Sequence, residues 1–192
     1  MKRAIFFDRD GTLLVELGYL AHPSRVAPYH FAAEALRRAR EHGYLLIGIT
    51  NQSAIARGYL SEADLSVIHR RMQDVFKQTH AELDAMYYCP HHPDGTVETY
   101  RKKCNCRKPG TELGEQAARR FDIDLKRSFL VGDKETDLLF GSRLGMTACL
   151  VRTGLGASEE ERLGSEGLKD SMVFDNVLEA VNWITGEAGH LR

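Results

Sequence analysis

No stretch of this sequence approaches the length and apolarity of a membrane span, and the apolar run at its start is too short for a signal peptide. There is no charge excess either: 26 basic residues face 27 acidic ones, for a formal net charge of -1. Such a balance excludes a general attraction to nucleic acid or anionic membrane and leaves only local patches. Cysteine is scarce, with four in the chain. In a chain expected to stay in the cytoplasm, few cysteines point to metal ligands or thiols rather than disulfides. These absences predict a soluble cytoplasmic protein, expected to be monomeric, with no nucleic-acid and no membrane partner.

What is present is ordinary globular material. The 192 residues are 43% apolar and 28% charged, enough for one core, and the length prior favours one domain over 1–192. Apolar runs alternate with segments of helical period. Strands are expected at 3–7, 45–49, 86–88, 129–131 and 147–151. Helices are expected at 32–41, 62–80, 112–121, 137–144 and 176–184, with Ser61 and Asn176 as N-caps. Residues 13–29 read as an excursion from the sheet, 154–167 as a polar, glycine-rich and mobile segment, and 186–192 as a loose tail. Strands alternating with helices imply an α/β fold, a three-layer Rossmann-like arrangement around a parallel sheet.

The most informative stretch is Ala4-Ile5-Phe6-Phe7-Asp8-Arg9-Asp10-Gly11-Thr12. A buried strand ends in two carboxylates one residue apart, and residues two apart share a face while a strand continues. Two crowded acids repel unless a cation or a shared proton relieves them. Polar clusters also follow the strands ending at Ile49 and Val131, and a parallel sheet brings such ends to one edge. Asp8, Asp10 and Asp133 would then form a carboxylate triad suited to Mg²⁺ and a substrate phosphate. Thr50 and Lys108 would supply a hydroxyl and a fixed positive charge for a phosphoryl group. One carboxylate can attack phosphorus while a second moves protons.

All four motifs occur in the order and context of the haloacid dehalogenase (HAD) superfamily of phosphatases, which the chain resembles from Ala4 to about Val151. The motifs are Asp8-Arg9-Asp10-Gly11-Thr12, Thr50-Asn51, Lys108, and Gly132-Asp133-Lys134-Glu135-Thr136-Asp137. The resemblance implies Asp8 as nucleophile and Mg²⁺ ligand. It implies Asp10 as general acid/base that also binds the metal through its backbone carbonyl, and Asp133 as the remaining metal ligand. Thr50 and Lys108 would hold the phosphoryl group. Asp137 would either touch the metal or orient Lys134, with orientation the favoured role.

The excursion from Cys89 to Lys108 is expected to gather the chain's cysteines. Cys89-Pro90-His91 and Cys104-Asn105-Cys106 are two ligand pairs of equal spacing, and three thiolates with an imidazole suit a closed, structural tetrahedral Zn²⁺ site. His92 is a rival to His91, and the matched spacing favours His91. The zinc loop, 89–106, would order an otherwise irregular segment and place Arg107-Lys108. The loop resembles the zinc-containing HAD branch that includes heptose bisphosphate phosphatases of lipopolysaccharide precursor synthesis and histidinol-phosphate phosphatases. Gly18-Tyr19 and Cys89-Pro90-His91-His92-Pro93 look most like the heptose type. The pattern departs at Leu14, where asparagine is expected, and at Glu16, where aspartate is expected.

No large cap is inserted between Thr12 and Thr50, so short segments must bind the substrate: Glu16, Leu17, Gly18 and Tyr19; Thr50, Asn51, Gln52 and Ser53; Arg107, Lys108 and Lys134. The resemblance implies attack at the C7 phosphate of D-glycero-D-manno-heptose 1,7-bisphosphate, a small phosphorylated sugar. Arg107 and Lys134 would meet the remote phosphate. Histidinol phosphate is the rival substrate. A zinc-stapled nucleic-acid module using Arg101-Lys102-Lys103 and Arg107-Lys108 is the rival from outside enzymes.

Overall fold

Strand β1, Ala4–Phe7, has every side chain buried and lies at the centre of a six-stranded sheet. The computed structural model describes residues 1–186. The other strands are β2 (Leu45–Asn51), β3 (Ala85–Cys89), β4 (Phe129–Gly132), β5 (Thr147–Val151) and β6 (Ser171–Phe174). They run in the order β3-β2-β1-β4-β5-β6, and each neighbouring pair is parallel. Phe7 lies opposite Gly48 of β2 and Val131 of β4, so the C-terminal ends of the three central strands share one edge.

The sheet is covered on both faces, as a parallel sheet requires. Alternation along β1 sends Ile5 and Phe7 to one face and Ala4 and Phe6 to the other. The first face packs helices α1 (Ala32–Glu41), α3 (Glu62–Lys77) and α7 (Val177–Thr185). The second packs α4 (Glu112–Phe121) and α5 (Glu135–Arg143). A single turn, α2 (Ser53–Ala56), follows β2. The two expected N-caps are in place. Ser61 Oγ accepts from Asp64 N at 3.1 Å, and Asp64 returns the bond from Ser61 N at 2.9 Å. Asn176 Oδ1 accepts from Leu178 N and Glu179 N at 3.0 and 3.2 Å.

Three expectations need correction. The polar segment expected to be mobile forms α6 (Gly156–Leu168), interrupted by Gly164 at φ 58°. Its helix is tied down by charge: Arg152 Nε meets Glu160 at 2.7 Å, and Arg162 meets Glu159 at 2.9 Å and Glu135 at 2.7 Å. Strand β6, four residues at the sheet's edge, was not expected at all; it has one neighbour, β5, and only half-buried or exposed side chains. The cysteines are not all in one loop either, since Cys149 is buried in β5. Burial alone raises its thiol to about 12, as befits a small core residue. Of the tail expected at 186–192, all but Gly186 lies outside the described residues.

Candidate active site

β1 ends at Phe7, and Asp8 N donates to Val131 O at 2.9 Å, which anchors the first residue beyond the strand. Gly11 then turns the chain at φ 86°, where a Cβ would lie 2.1 Å from Asp133 Oδ2. Only glycine allows this close approach. Asp133, at the end of β4, is braced by Leu155 N, which donates to its Oδ2 at 3.0 Å.

Asp8, Asp133 and Asp137 each offer a carboxylate oxygen, all within 4.8 Å of one another and all buried. Lys108 Nζ lies 2.5 Å from Asp8 Oδ1 and 2.5 Å from Asp137 Oδ1, and donates to Ile49 O at 2.9 Å. Asn51 holds the Lys108 backbone from both sides: Lys108 N donates to its Oδ1 at 3.0 Å, and its Nδ2 donates to Lys108 O at 3.1 Å. Burial works against the charge on Lys108, but Asp137 and Asp8 overcome it and raise its pKa. Asp133 is pushed up to about 8 by burial first and by Asp8 second. Burial also raises Asp137, against the pull of Lys108.

The charges decide what this cluster can hold. Three buried carboxylates face two lysines, and one of those, Lys134, also meets Glu16 Oε2 at 3.2 Å. Asp137 Oδ1 is taken by Lys108, whereas Asp133 Oδ1 has no hydrogen-bond donor among the described residues and only Lys134 Nζ near it, at 3.5 Å. Surplus negative charge with an unmatched carboxylate oxygen fits a hard divalent cation. The residues present therefore fit Mg²⁺ at Asp8 and Asp133, with Asp137 adjoining.

Asp10 is where the structure departs from the expected triad. Its side chain leaves the Asp8–Asp133 cluster because the strand stops at Phe7, so the shared-face rule no longer applies. Arg9 Nη2 donates to Asp10 Oδ2 at 2.7 Å and Gln52 Nε2 donates to the same oxygen at 2.9 Å. Gln52 also donates to Thr50 Oγ1 at 2.9 Å. Asp8 and Asp10 still line one cleft of about 260 Å³, with Thr50, Asn51, Gln52, Ser53, Arg107, Lys108 and Lys134. That space suits a small molecule. From the flap, Glu16, Gly18 and Tyr19 line the cleft; Leu17 does not, and Leu20 does. Tyr59, unsuspected in the sequence, packs its ring 4.8 Å from that of Tyr19. Lys134, expected to meet the remote phosphate, is paired with Glu16 and with Asp133 Oδ1 at 3.5 Å. Asp137 Oδ2 accepts from Lys134 N at 3.1 Å, so it holds that residue by its backbone while its other oxygen faces Lys108.

Cys89, His91, Cys104 and Cys106 converge. His91 Nδ1 is 3.2 Å from Cys106 Sγ and 3.8 Å from Cys89 Sγ. Cys106 Sγ is 3.2 Å from both Cys89 Sγ and Cys104 Sγ, and Cys89 and Cys104 are 3.5 Å apart. A tetrahedron with bonds of about 2.0–2.3 Å has edges of about 3.3–3.8 Å, so the donor set fits Zn²⁺. His92 is outside the group and its Nδ1 accepts from Asp94 N at 3.1 Å. Arg107, immediately after, donates to His91 O at 3.4 Å. The Cys/His cluster and the cleft-lining cations Arg107 and Lys108 are thus parts of one segment.

Residues 105–180 match the HAD-hydrolase-like family, and residues 3–142 match the polynucleotide kinase 3 phosphatase family. The D-glycero-beta-D-manno-heptose-1,7-bisphosphate 7-phosphatase of Haemophilus ducreyi is 39% identical over 90% of this chain and 95% of its own. The D-glycero-alpha-D-manno-heptose-1,7-bisphosphate 7-phosphatase of Photorhabdus laumondii is 38% identical over 82% of this chain and 86% of its own. A crystal structure of D,D-heptose 1,7-bisphosphate phosphatase from B. bronchiseptica, complexed with magnesium and phosphate, superposes with a TM-score of 0.86. It is 29% identical and covers 97% of this chain and 99% of that one. With this site on this sheet, the chain belongs to the HAD-like phosphatases, on the branch that holds the heptose-1,7-bisphosphate 7-phosphatases.

Proposed function

We propose that this protein is a Mg²⁺-dependent phosphomonoesterase that removes the C7 phosphate of D-glycero-D-manno-heptose 1,7-bisphosphate. The observation that carries this reading is the placement of Asp8. It lies at the floor of a small-molecule cleft, tied by Lys108 through one oxygen and faced by Asp133, in a chain aligned almost end to end with heptose bisphosphatases. The reaction fits the cytoplasmic assembly of activated heptose for lipopolysaccharide, carried out by a monomer of one domain.

The chain's own groups divide the work. Lys108 fixes Asp8 Oδ1 and leaves the other oxygen to attack phosphorus, forming the aspartyl-phosphate as the bond from phosphorus to the C7 oxygen breaks. Asp10 gives that oxygen its proton, then takes one from the water that attacks the phosphorus and frees Asp8 and inorganic phosphate. Thr50 and Lys108 hold the phosphoryl oxygens, while Asn51 fixes Lys108 and is thereby more than a substrate contact. Bound Mg²⁺, held by Asp8, Asp133 and the Asp10 carbonyl, would offset the charge that builds on the phosphoryl oxygens. Arg107, whose hydrogen bond to His91 O is long at 3.4 Å, is the better partner for the anomeric phosphate, since Lys134 already has Glu16. Structural Zn²⁺ on Cys89, His91, Cys104 and Cys106 would keep Arg107 and Lys108 in place.

A phosphate-release screen with Mg²⁺ tests the proposal, using both anomers of the heptose bisphosphate, other sugar bisphosphates, histidinol phosphate and a 3′-phosphorylated oligonucleotide. The highest kcat/KM is expected with a heptose bisphosphate. A higher value with histidinol phosphate or the oligonucleotide would overturn the substrate assignment.

A further inference from the structure

Arg9 has the largest of the fully buried side chains among the described residues, and the phosphoryl-transfer scheme gives it no part. A guanidinium carries five donors in a rigid plane and accepts nothing. Burying one is costly unless its donors are matched. Here Nη2 reaches Asp10 Oδ2 at 2.7 Å and Gln52 Oε1 at 2.9 Å, and Nε reaches both Asp10 oxygens at 3.1 Å. Nη1 lies 3.2 Å from His69 Nε2.

His69 is on α3, far from the motif in sequence, and does not line the cleft. Because Arg9 can only donate, His69 Nε2 must be the acceptor, which puts the ring proton on Nδ1. Burial first, and the Arg9 charge second, lower His69 to about 3, so the ring is neutral at working pH. The edge of the ring packs at 67° to Tyr88 of β3, with centroids 5.8 Å apart. The guanidinium plane is thus fixed at its far end by a neutral acceptor. Gln52 closes the figure, accepting from Arg9 while donating to Asp10 and Thr50.

We propose that His69, through Arg9 and with Gln52, is a positioning residue that aims the Asp10 carboxylate at the leaving-group oxygen. This rests on the reading of Asp10 as general acid. A bare packing role for the Arg9–His69 contact would affect stability and all substrates alike. Aiming a general acid would affect only those substrates whose leaving group needs a proton.

The test compares kcat/KM on a primary sugar phosphate, whose alkoxide needs a proton, with that on p-nitrophenyl phosphate, whose phenolate does not. In His69→Leu the sugar phosphate should fall about 10-fold, a fraction of the 10²–10⁴ that general acid–base catalysis supplies, with p-nitrophenyl phosphate falling less than about twofold. His69→Gln, whose amide oxygen can accept from Arg9, should recover to within about threefold of the parent. Asp10→Asn sets the scale and should show the same selectivity more strongly. A nitrogen-15 spectrum of the parent protein at pH 7 should show His69 with Nε2 unprotonated, a readout independent of any variant's folding and of metal. If Asp10→Asn is selective while His69→Leu lowers both substrates equally or neither, the positioning role is overturned and the Asp10 reading stands. If Asp10→Asn shows no selectivity, both are overturned. A protonated Nε2 overturns the positioning role by itself.

Discussion

At the residue scale the site is a problem in charge placement. Asp8, Asp133 and Asp137 are buried side by side, with Lys108 bridging Asp8 and Asp137. Replacing Asp8 by asparagine removes the attacking oxygen but keeps the shape of the side chain. Asp8→Asn should therefore lower phosphate release by about 10³-fold or more, with a thermal midpoint close to the parent's, because the lost Lys108 pair is offset by relief of repulsion on Asp133. Substantial turnover in Asp8→Asn would refute covalent catalysis. Asp8, Thr50 and Asp133 were legible in the sequence because each sits at the end of a strand that must lie on one edge of a parallel sheet, and Lys108 because it directly follows the Cys104-Asn105-Cys106 pair. Arg9 and His69 were not, since a contact between a motif residue and the flank of a distant helix leaves no periodic trace. Asp10 was legible as an acid but not in its direction, which is set by Arg9 and Gln52 and not by strand alternation.

At the scale of elements, the zinc loop and the β5–α6 region behave oppositely. The convergence of Cys89, His91, Cys104 and Cys106 was readable from residue type and spacing alone, because thiolate and imidazole at matched intervals have few other uses. Helix α6 and strand β6 were not, because α6 carries Gly156, Gly164 and Gly167 and β6 is a short, half-exposed edge. Tertiary ion pairs around Arg152 and Arg162 supply what local propensity lacks. Burial first, and Cys104 beside it, raise Cys106 to about 11, so without metal that thiol stays protonated and the loop has no staple. Cys104→Ser should therefore lose zinc, lower the thermal midpoint and reduce activity together. Zinc content by elemental analysis should be one per chain in the parent. A Cys104→Ser protein with full activity and unchanged melting would show that the loop orders without metal.

For the whole molecule, the carboxylate cluster links metal, pH and stability. Asp133 is raised from 3.8 to about 8, so in the metal-free protein its proton is held more tightly folded than unfolded. The stability it contributes is full below about pH 4 and is lost as pH rises to about 8. A bound cation replaces the proton as the neutralising charge, and stabilises by mass action. Added Mg²⁺ should then raise the melting temperature more at pH 8 than at pH 5. An equal rise at both would mean that the cation does not bind at Asp133. Among the described residues no helix is long and apolar enough to cross a membrane. The layered sheet was legible from alternating periods, and its exact strand order followed only from the pairing.

If Asp8 attacks as proposed, one phosphate of the sugar bisphosphate leaves and the other stays. Phosphorus-31 NMR of D-glycero-D-manno-heptose 1,7-bisphosphate with enzyme and Mg²⁺ tests it most directly. The C7 resonance should disappear as inorganic phosphate grows, while the anomeric resonance persists. Loss of the anomeric phosphate first, or of both at equal rates, would contradict it.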